Sequence, residues 1–489
     1  MVSAPAFDWE DVMLVRQVFD PKLAQFAYLV GCPRTGEAIV IDPERDVDRY
    51  FELAARHKLR IVAAADTHIH ADYLSGLREM AERGVLVYAS KEGGKDWQYE
   101  WLLHSHYPHR LLGHGDQFSV GNIEFKAVHT PGHTPEHLSY LVRDTGAGAK
   151  DFVAIASGDF VFVGDVGRPD LLERAAGVAG VMEPSARLQY ASIQKEFRGL
   201  PEFLQVWPGH GAGSACGKAL GDVPMSTVGY ELRTNRSIQA AMDEQTFVDF
   251  ILSGQPEPPL YFARMKRDNR RGPALLPKLP APRALTAAEV SALQDRRDVA
   301  VLDTRKRDAY FAGHLSGSIL AELDYQFCTI AGSYVDEGTP IYLIVDKDRL
   351  DEAVRALIRV GLDNIVGYFT PRTLAEFGRT GGALRKTETI DMAEMEARRV
   401  AGRVQVVDVR GAAEYDLGHV PDSLLIPHTR VGTQLGALEA DTPQLVYCNS
   451  GGRAAAVVSL LERHGFAAID VDDEFARYRR TDQSVGART

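Results

Sequence analysis

No apolar run in this 489-residue chain approaches the roughly 20 residues that a bilayer-spanning helix needs. The N-terminal stretch MVSAPAFDWEDVM lacks the basic segment of a secretory leader and carries acids instead, so a cytoplasmic protein is expected. Cysteine is scarce: Cys32, Cys216, Cys328 and Cys448 lie far apart without paired spacing. That spacing suits isolated thiols in a reducing compartment better than a disulfide framework or a zinc knuckle. Positive charge is also in deficit, 55 Lys and Arg against 67 Asp and Glu, a formal net charge of −12. Nucleic acid and anionic membranes are therefore not expected partners. What is present is ordinary globular material, 45% apolar and 25% charged, enough for several buried cores.

At about 100 to 200 residues per domain, the length suggests three units. In MLVRQVFD, QFAYLVG and EAIVIDP apolar and polar residues alternate between turn residues, the pattern of short antiparallel strands. DVDRYFELAARHKLR then has helical spacing and leads into the apolar strand IVAAAD. This unit is expected to cover 1–265. It ends in the basic, proline-rich PEPPLYFARMKRDNRRGPALLPKLPAPRALT, read as helix-poor, a surface tether with a linker at 266–284. Beyond it the sequence repeats. VAVLDTRKRDAYFAGHLSGSI is echoed by VQVVDVRGAAEYDLGHVPDSL, which sets Asp303 and Asp408, Arg305 and Arg410, His314 and His419 each 105 residues apart. Strands alternating with helices in each copy predict two small α/β domains with parallel sheets, at 285–385 and 386–489.

The strand IVAAAD runs into THIHADY. Strand alternation would put His68, His70 and Asp72 on one side, converging on a common point. HTPGHTPEH supplies His133, IASGDFVF supplies Asp159, and VWPGHGAG supplies His210. Histidines and carboxylates at the ends of four separate strands are what a catalytic metal site needs, because strands fix the ligands while loops leave positions open. HSHYPH also holds histidines, His104, His106 and His109, but lacks a preceding apolar strand and a following acid, and is read as surface.

Taken in order, THIHAD, TPGHT, SGD and PGHG resemble the metallo-β-lactamase fold across about 250 residues, which implies an αββα sandwich. Two-zinc hydrolases of that fold place a histidine where this chain has Tyr73, and a phenol is a poor replacement for neutral imidazole. A single metal is expected. Two histidines, one carboxylate and open positions form the ligand face of non-haem iron(II) oxygenases. Resemblance to the persulfide dioxygenase branch implies His68, His133 and Asp159 as ligands of one non-haem Fe(II) per chain, although members acting on glutathione persulfide usually keep the histidine. His70, Asp72, Tyr73 and His210 would then orient ligands or hold water, or remain from a second metal site. Arg168, in GDVGRPDL, either pairs with a carboxylate or phosphate of a thiol carrier or forms an ion pair with Asp165 or Asp170. Cys216, six residues past His210 in a glycine-rich loop, either receives or relays sulfane sulfur or is an inert buried thiol.

LVYCNSGGRAAAVVSLL opens the loop Cys448, Asn449, Ser450, Gly451, Gly452, Arg453 directly before a helix. Small residues let successive N–H groups turn inward, and the helix N-terminus adds positive potential, so the loop can cradle a thiolate or persulfide anion, with Arg453 as a fixed cation. The stretch resembles a rhodanese sulfurtransferase over about 100 residues. A cysteine phosphatase is the rival reading, but its loop is usually one residue longer. In the first copy, LIVDKDRLDEAV, Asp346 is read at the cysteine position, so that copy should be a catalytically silent rhodanese-like domain, and Cys328 lies outside the loop. The order dioxygenase, silent rhodanese, active rhodanese resembles bacterial persulfide dioxygenase-sulfurtransferase fusions. That resemblance implies a sulfide detoxification enzyme; separately, a homo-oligomer is expected. A low-molecular-weight thiol persulfide would be oxidised with O2 to sulfite and thiol, and Cys448 would pass sulfane sulfur to sulfite to give thiosulfate. The alternatives are a dinuclear zinc thioester hydrolase of glyoxalase II type fused to a sulfurtransferase, and a non-enzymatic sulfane-sulfur carrier or sensor. No residue pattern identifies the carrier thiol.

Overall fold

The computed structural model describes residues 12–478 apart from Ala176 and Val178. The acidic stretch inspected for a leader falls almost wholly outside them. The chain divides into two compact units, 1–277 and 278–489.

The first unit is built on two six-stranded sheets. One runs in chain order through Leu14–Asp20, Gln25–Cys32, Glu37–Ile41, Arg60–Ala65, Leu86–Ser90 and His109–Leu112. Its first three strands pair antiparallel and the rest parallel. The other orders Ser226–Thr227, Gln205–Pro208, Ala154–Gly158, Leu138–Asp144, Ile123–His129 and Gln117–Val120. Alternate residues of one strand serve two cores. Phe26, Tyr28 and Val30 point between the sheets with Phe118, Phe125, Tyr140 and Trp207. Ala27 and Leu29 face outward under a helical layer that includes Tyr50, Leu77 and Met80. Helical residues Ala186, Ile238, Phe247 and Ile251 cover the outer face of the second sheet at Ile155 and Val206. Helices thus lie on both outsides, giving the αββα sandwich, and burial on both faces explains why Gln25–Cys32 has no exposed residue.

The stretch expected as helix-poor linker contains the helix Phe262–Arg271, with Phe262, Met265, Lys266 and Asn269 buried. Asn269 Nδ2 donates to the carbonyls of His70 (2.8 Å) and Tyr73 (2.7 Å), and its Oδ1 accepts from Ser75 N–H (2.8 Å). The expected boundary at 265 therefore cuts through an element of the first unit. The apolar face is short and the basic residues around it mask it.

The second unit holds two five-stranded, all-parallel sheets of the same order. One is Arg283–Ala284, Ile365–Phe369, Ile341–Ile344, Ala300–Asp303, Ile319–Leu320; the other is Thr389–Ile390, Ala468–Val471, Gln444–Tyr447, Gln405–Asp408, Leu424–Leu425. The sequence repeat is also a repeat of contacts. Arg305 and Arg410 each grip the aspartate two residues before them. His314 stacks on Tyr310 and His419 on Tyr415, at 4.0 and 3.6 Å between ring centroids. Strand register corrects one assignment: Asp303 pairs with Ile344 where Asp408 pairs with Tyr447, so Val345, not Asp346, stands at the position of Cys448. Loss of loop residues shifted the sequence count by one. The copy still lacks a nucleophile there. Among the described residues no helix is long and apolar enough to cross a membrane.

Candidate metal centre and thiol loop

The strand before THIHADY ends at Ala65, so residues 66–73 are loop and strand alternation no longer governs them. His68, His70 and Asp72 accordingly do not converge. They enter three separate groups: His68 with His133 and Asp159, Asp72 with His210 and Cys216, and His70 with Asp42 and Asp66. All of these residues are buried.

In the first group, Nδ1 of His68 meets Thr67 Oγ1 (2.9 Å) and Nδ1 of His133 meets the Arg168 carbonyl (3.0 Å). Each Nε2 is left facing Asp159 Oδ2, at 4.0 and 3.4 Å. Burial, with neighbouring histidines, holds both imidazoles well below their usual pKa, so they are neutral donors. Neither Asp159 oxygen has a hydrogen-bond partner among the described residues, and burial pushes this carboxyl up to about 6. Two neutral imidazoles converging on an orphaned buried carboxylate fit a divalent metal, because a cation supplies the missing partner. Side-chain bulk is kept away: a Cβ on Gly209 would sit 2.5 Å from Asp159 Oδ1.

Asp159 Oδ1 faces the second group, 3.5 Å from His210 Nε2, which is also 3.4 Å from Asp72 Oδ2. Cys216 completes this group. Its buried thiol is pushed well up by desolvation and by the Asp72 and Asp159 carboxylates. Donors for a second ion are thus present, with a thiol rather than residue 73 among them. Tyr73 lies elsewhere. Its hydroxyl meets His70 Nε2 (3.0 Å) and accepts from Gln25 Nε2 (3.2 Å), and His70 Nε2 also faces Asp42 Oδ1 at 3.2 Å. Against the effect of burial, Asp42 pushes His70 up to about 9. His70 is therefore engaged as the partner of Asp42.

Of the two readings of Arg168, the structure shows the ion pair with Asp170, and substrate binding is the one corrected. Its side chain is wholly buried, Nε and Nη2 each donating to Asp170 at 2.7 Å and Nη1 to the Ala215 carbonyl at 3.1 Å. Other site residues were not singled out from sequence. Asp42 fixes the ligand loop by accepting from Thr67 N–H (2.6 Å) and hydroxyl (3.0 Å). His137 Nε2 accepts from the Asp159 N–H (3.1 Å), and Glu136 accepts from the Ile69 N–H (2.8 Å). The last two belong to HTPGHTPEH, whose density of polar residues was the available signal. His104 and His106 are exposed and His109 is half-buried.

In the second unit Cys448 is buried at the end of its strand, and Gly451 takes the left-handed φ of +87° from which the helix Gly452–Arg463 starts. Arg453 makes two hydrogen bonds to Glu414 (2.7 and 2.8 Å), and Asn449 Nδ2 donates to the same carboxylate (2.6 Å). The loop cation is thus braced by an acid in the helix Ala412–Asp416, where the first copy has Ala309. The first copy in turn reaches the loop. Arg307 Nη1 donates to the Ser450 carbonyl (2.8 Å) and Nη2 pairs with Asp472 (2.7 Å).

This αββα sandwich with its histidine and aspartate ligand loops, followed by a thiol-bearing parallel α/β unit, defines a metallo-β-lactamase-type domain joined to a rhodanese-type one. Residues 20–210 match the metallo-β-lactamase superfamily and residues 391–478 the rhodanese-like domain. The chain belongs to the metallo-β-lactamase superfamily and carries a C-terminal rhodanese-like domain. A crystal structure of a metallo-β-lactamase from Staphylococcus aureus subsp. aureus COL is 41% identical, with a TM-score of 0.67, covering 73% of this chain and 99% of that one. The mitochondrial persulfide dioxygenase ETHE1 of Bos taurus is 27% identical over 203 residues, 40% of this chain and 68% of that protein. A probable metallo-hydrolase of Burkholderia pseudomallei (strain 1710b) is 30% identical over 260 residues, 48% of this chain and 84% of that one.

Proposed function

We propose that the protein oxidises a low-molecular-weight thiol persulfide with O2 and transfers sulfane sulfur through Cys448. The observation that carries the reading is the pairing, in one chain, of a two-histidine, one-aspartate set with a cysteine opening a short loop that ends at a helix N-terminus. Similarity to persulfide dioxygenases supports the first half and the rhodanese-like match the second.

His68, His133 and Asp159 would hold one ferrous ion, which supplies redox chemistry with O2 and open coordination positions. The chain's own residues prepare that site. Thr67 and the Arg168 carbonyl fix which imidazole nitrogen is presented, and burial keeps both rings neutral. The overall change is RSSH + O2 + H2O to RSH, sulfite and two protons. In the second unit the Cys448 thiolate attacks the outer sulfur of a persulfide, the S–S bond to the carrier breaks, and the carrier thiol leaves. Sulfite then takes the outer sulfur, which forms thiosulfate and returns the Cys448 thiolate. The N–H groups of the loop, if they turn inward as its small residues allow, would hold the anionic sulfur together with Arg453.

A dinuclear thioester hydrolase is the second reading, favoured by the Asp72, His210 and Cys216 donors opposite Asp159 Oδ1. Product analysis tests the proposal. Cys448→Ser should consume O2 at near the parental rate and accumulate sulfite in place of thiosulfate. Loss of O2 uptake in that variant would contradict the division of labour.

A further inference from the structure

The helix Phe262–Arg271 lines a cavity of about 410 Å³ with Lys266, Arg267 and Arg270, together with Asp96, Trp97 and Ile69. Ile69 stands between His68 and His70, so the cavity abuts the ligand loop. The placement is rigid. Three residues beyond Lys266, Asn269 is bonded to the His70 and Tyr73 carbonyls, and Glu136 holds the Ile69 N–H. The Lys266 charge is felt at His133, where it adds to the effect of burial.

The cations of this cavity differ in what they touch. Arg267 pairs with Asp268 (2.6 Å), and Arg270 pairs with Glu100 (3.1 Å) and donates to the Asp96 carbonyl (3.0 Å). Lys266 is 9% exposed, yet among the described residues it has no hydrogen bond or ion pair; its ammonium lies over the Trp97 ring, 4.2 Å from the centroid. Burial pushes it down to about 8 while Glu136 pulls the other way, which leaves it cationic at neutral pH. The anion felt at Lys266 is Glu136, yet no hydrogen bond joins the two, and Glu136 Oε2 also lacks a partner among the described residues. An ammonium this buried is stabilised by a directly bonded anion, and a ring face supplies only part of that.

We propose that Lys266 and Trp97 form the subsite that takes the anionic group, a carboxylate or a phosphate, of the thiol carrying the persulfide to the His68, His133 and Asp159 site. This inference rests on the persulfide reading for its substrate, but it is tested by binding alone. About 410 Å³ suits a group of peptide or phosphate-ester size. Arg267 and Arg270 are each paired with an acid, so Lys266 is the point in the cavity at which a ligand's charge is read.

The test uses iron-loaded, full-length protein under nitrogen and calorimetric binding of three thiols: glutathione, coenzyme A and uncharged 2-mercaptoethanol. Lys266→Gln should weaken glutathione or coenzyme A by about 10-fold or more, as expected for loss of a charge-assisted contact, and leave 2-mercaptoethanol unchanged. Lys266→Arg should restore most of the affinity, which a merely structural lysine would not require. Sensitivity to glutathione alone identifies a carboxylate, and to coenzyme A alone a phosphate. Equal weakening of all three thiols, no weakening of any, or no measurable binding by the parent would overturn the subsite. If Lys266-dependent binding holds while no persulfide drives O2 uptake, the dioxygenase reading fails and the subsite stands.

Discussion

Replacing Gly451 or Gly452 by alanine should have opposite consequences, although the two residues adjoin in the Cys448 loop. Gly451 has φ +87°, and a Cβ there would lie 1.8 Å from Arg307 Nη1. The left-handed backbone alone costs an alanine about 1 to 2 kcal/mol. Arg307 can swing aside, but then it gives up the Ser450 carbonyl and Asp472. Both ends of that ion pair are partly exposed, 28% and 35%, so its share is small after solvent screening. The total loss is about 2 to 4 kcal/mol. Gly452 has nothing within 4 Å of a Cβ and begins the helix, where alanine is favoured over glycine by up to about 1 kcal/mol. Urea unfolding of the full chain, followed on the second unit's transition, measures both. In an Arg307→Ala background Gly451→Ala should cost less, its backbone part plus a small shift of Asp472, whose Oδ1 lies 2.9 Å from the same Cβ. Transfer of sulfur from thiosulfate to cyanide should fall in Gly451→Ala and in Arg307→Ala, because both release the Ser450 carbonyl. If Gly451→Ala proved no more destabilising than Gly452→Ala, the view that the first copy braces the thiol loop would be wrong.

Tyr73→His should bind no more metal per chain than the parent, since residue 73 faces Gln25, Asp42 and His70 rather than the Asp72, His210 and Cys216 group; a gain of one ion by elemental analysis would contradict this. Asp470 is buried with both oxygens unpartnered among the described residues, and burial, with Asp472, pushes it up to about 8. Between about pH 4 and pH 8 the folded chain keeps a proton that the unfolded chain releases, so stability falls as pH rises. Asp470→Asn should therefore be the more stable form at pH 9, by roughly 3 to 5 kcal/mol, with little difference at pH 4; a difference independent of pH would refute the assignment.

The ligand segments were legible because each ends an apolar strand, and the repeat was legible because its aspartate, arginine and histidine recur at fixed spacing. How those segments meet was not. Loop residues 66–73 abandon strand alternation, so a shared strand face for His68, His70 and Asp72 was the wrong local geometry, and only the fold sorts them among three groups. Tyr73 reads from sequence as a lost ligand, whereas its hydroxyl is a partner of His70. The helix carrying Lys266 was hidden by a basic composition that resembles a tether. Glu414 and Arg307 act on the Cys448 loop from about 40 and 140 residues away in sequence, distances that no local pattern reports. Val345 shows the limit of counting across a shortened loop.

The most direct measurement is metal content and oxygen uptake on one anaerobically purified sample of the full chain. One iron per chain, with O2 consumed when glutathione or coenzyme A persulfide is added and sulfite formed in the Cys448→Ser variant, is the predicted result. About two zinc ions per chain, turnover of a thioester and no O2 uptake would contradict it.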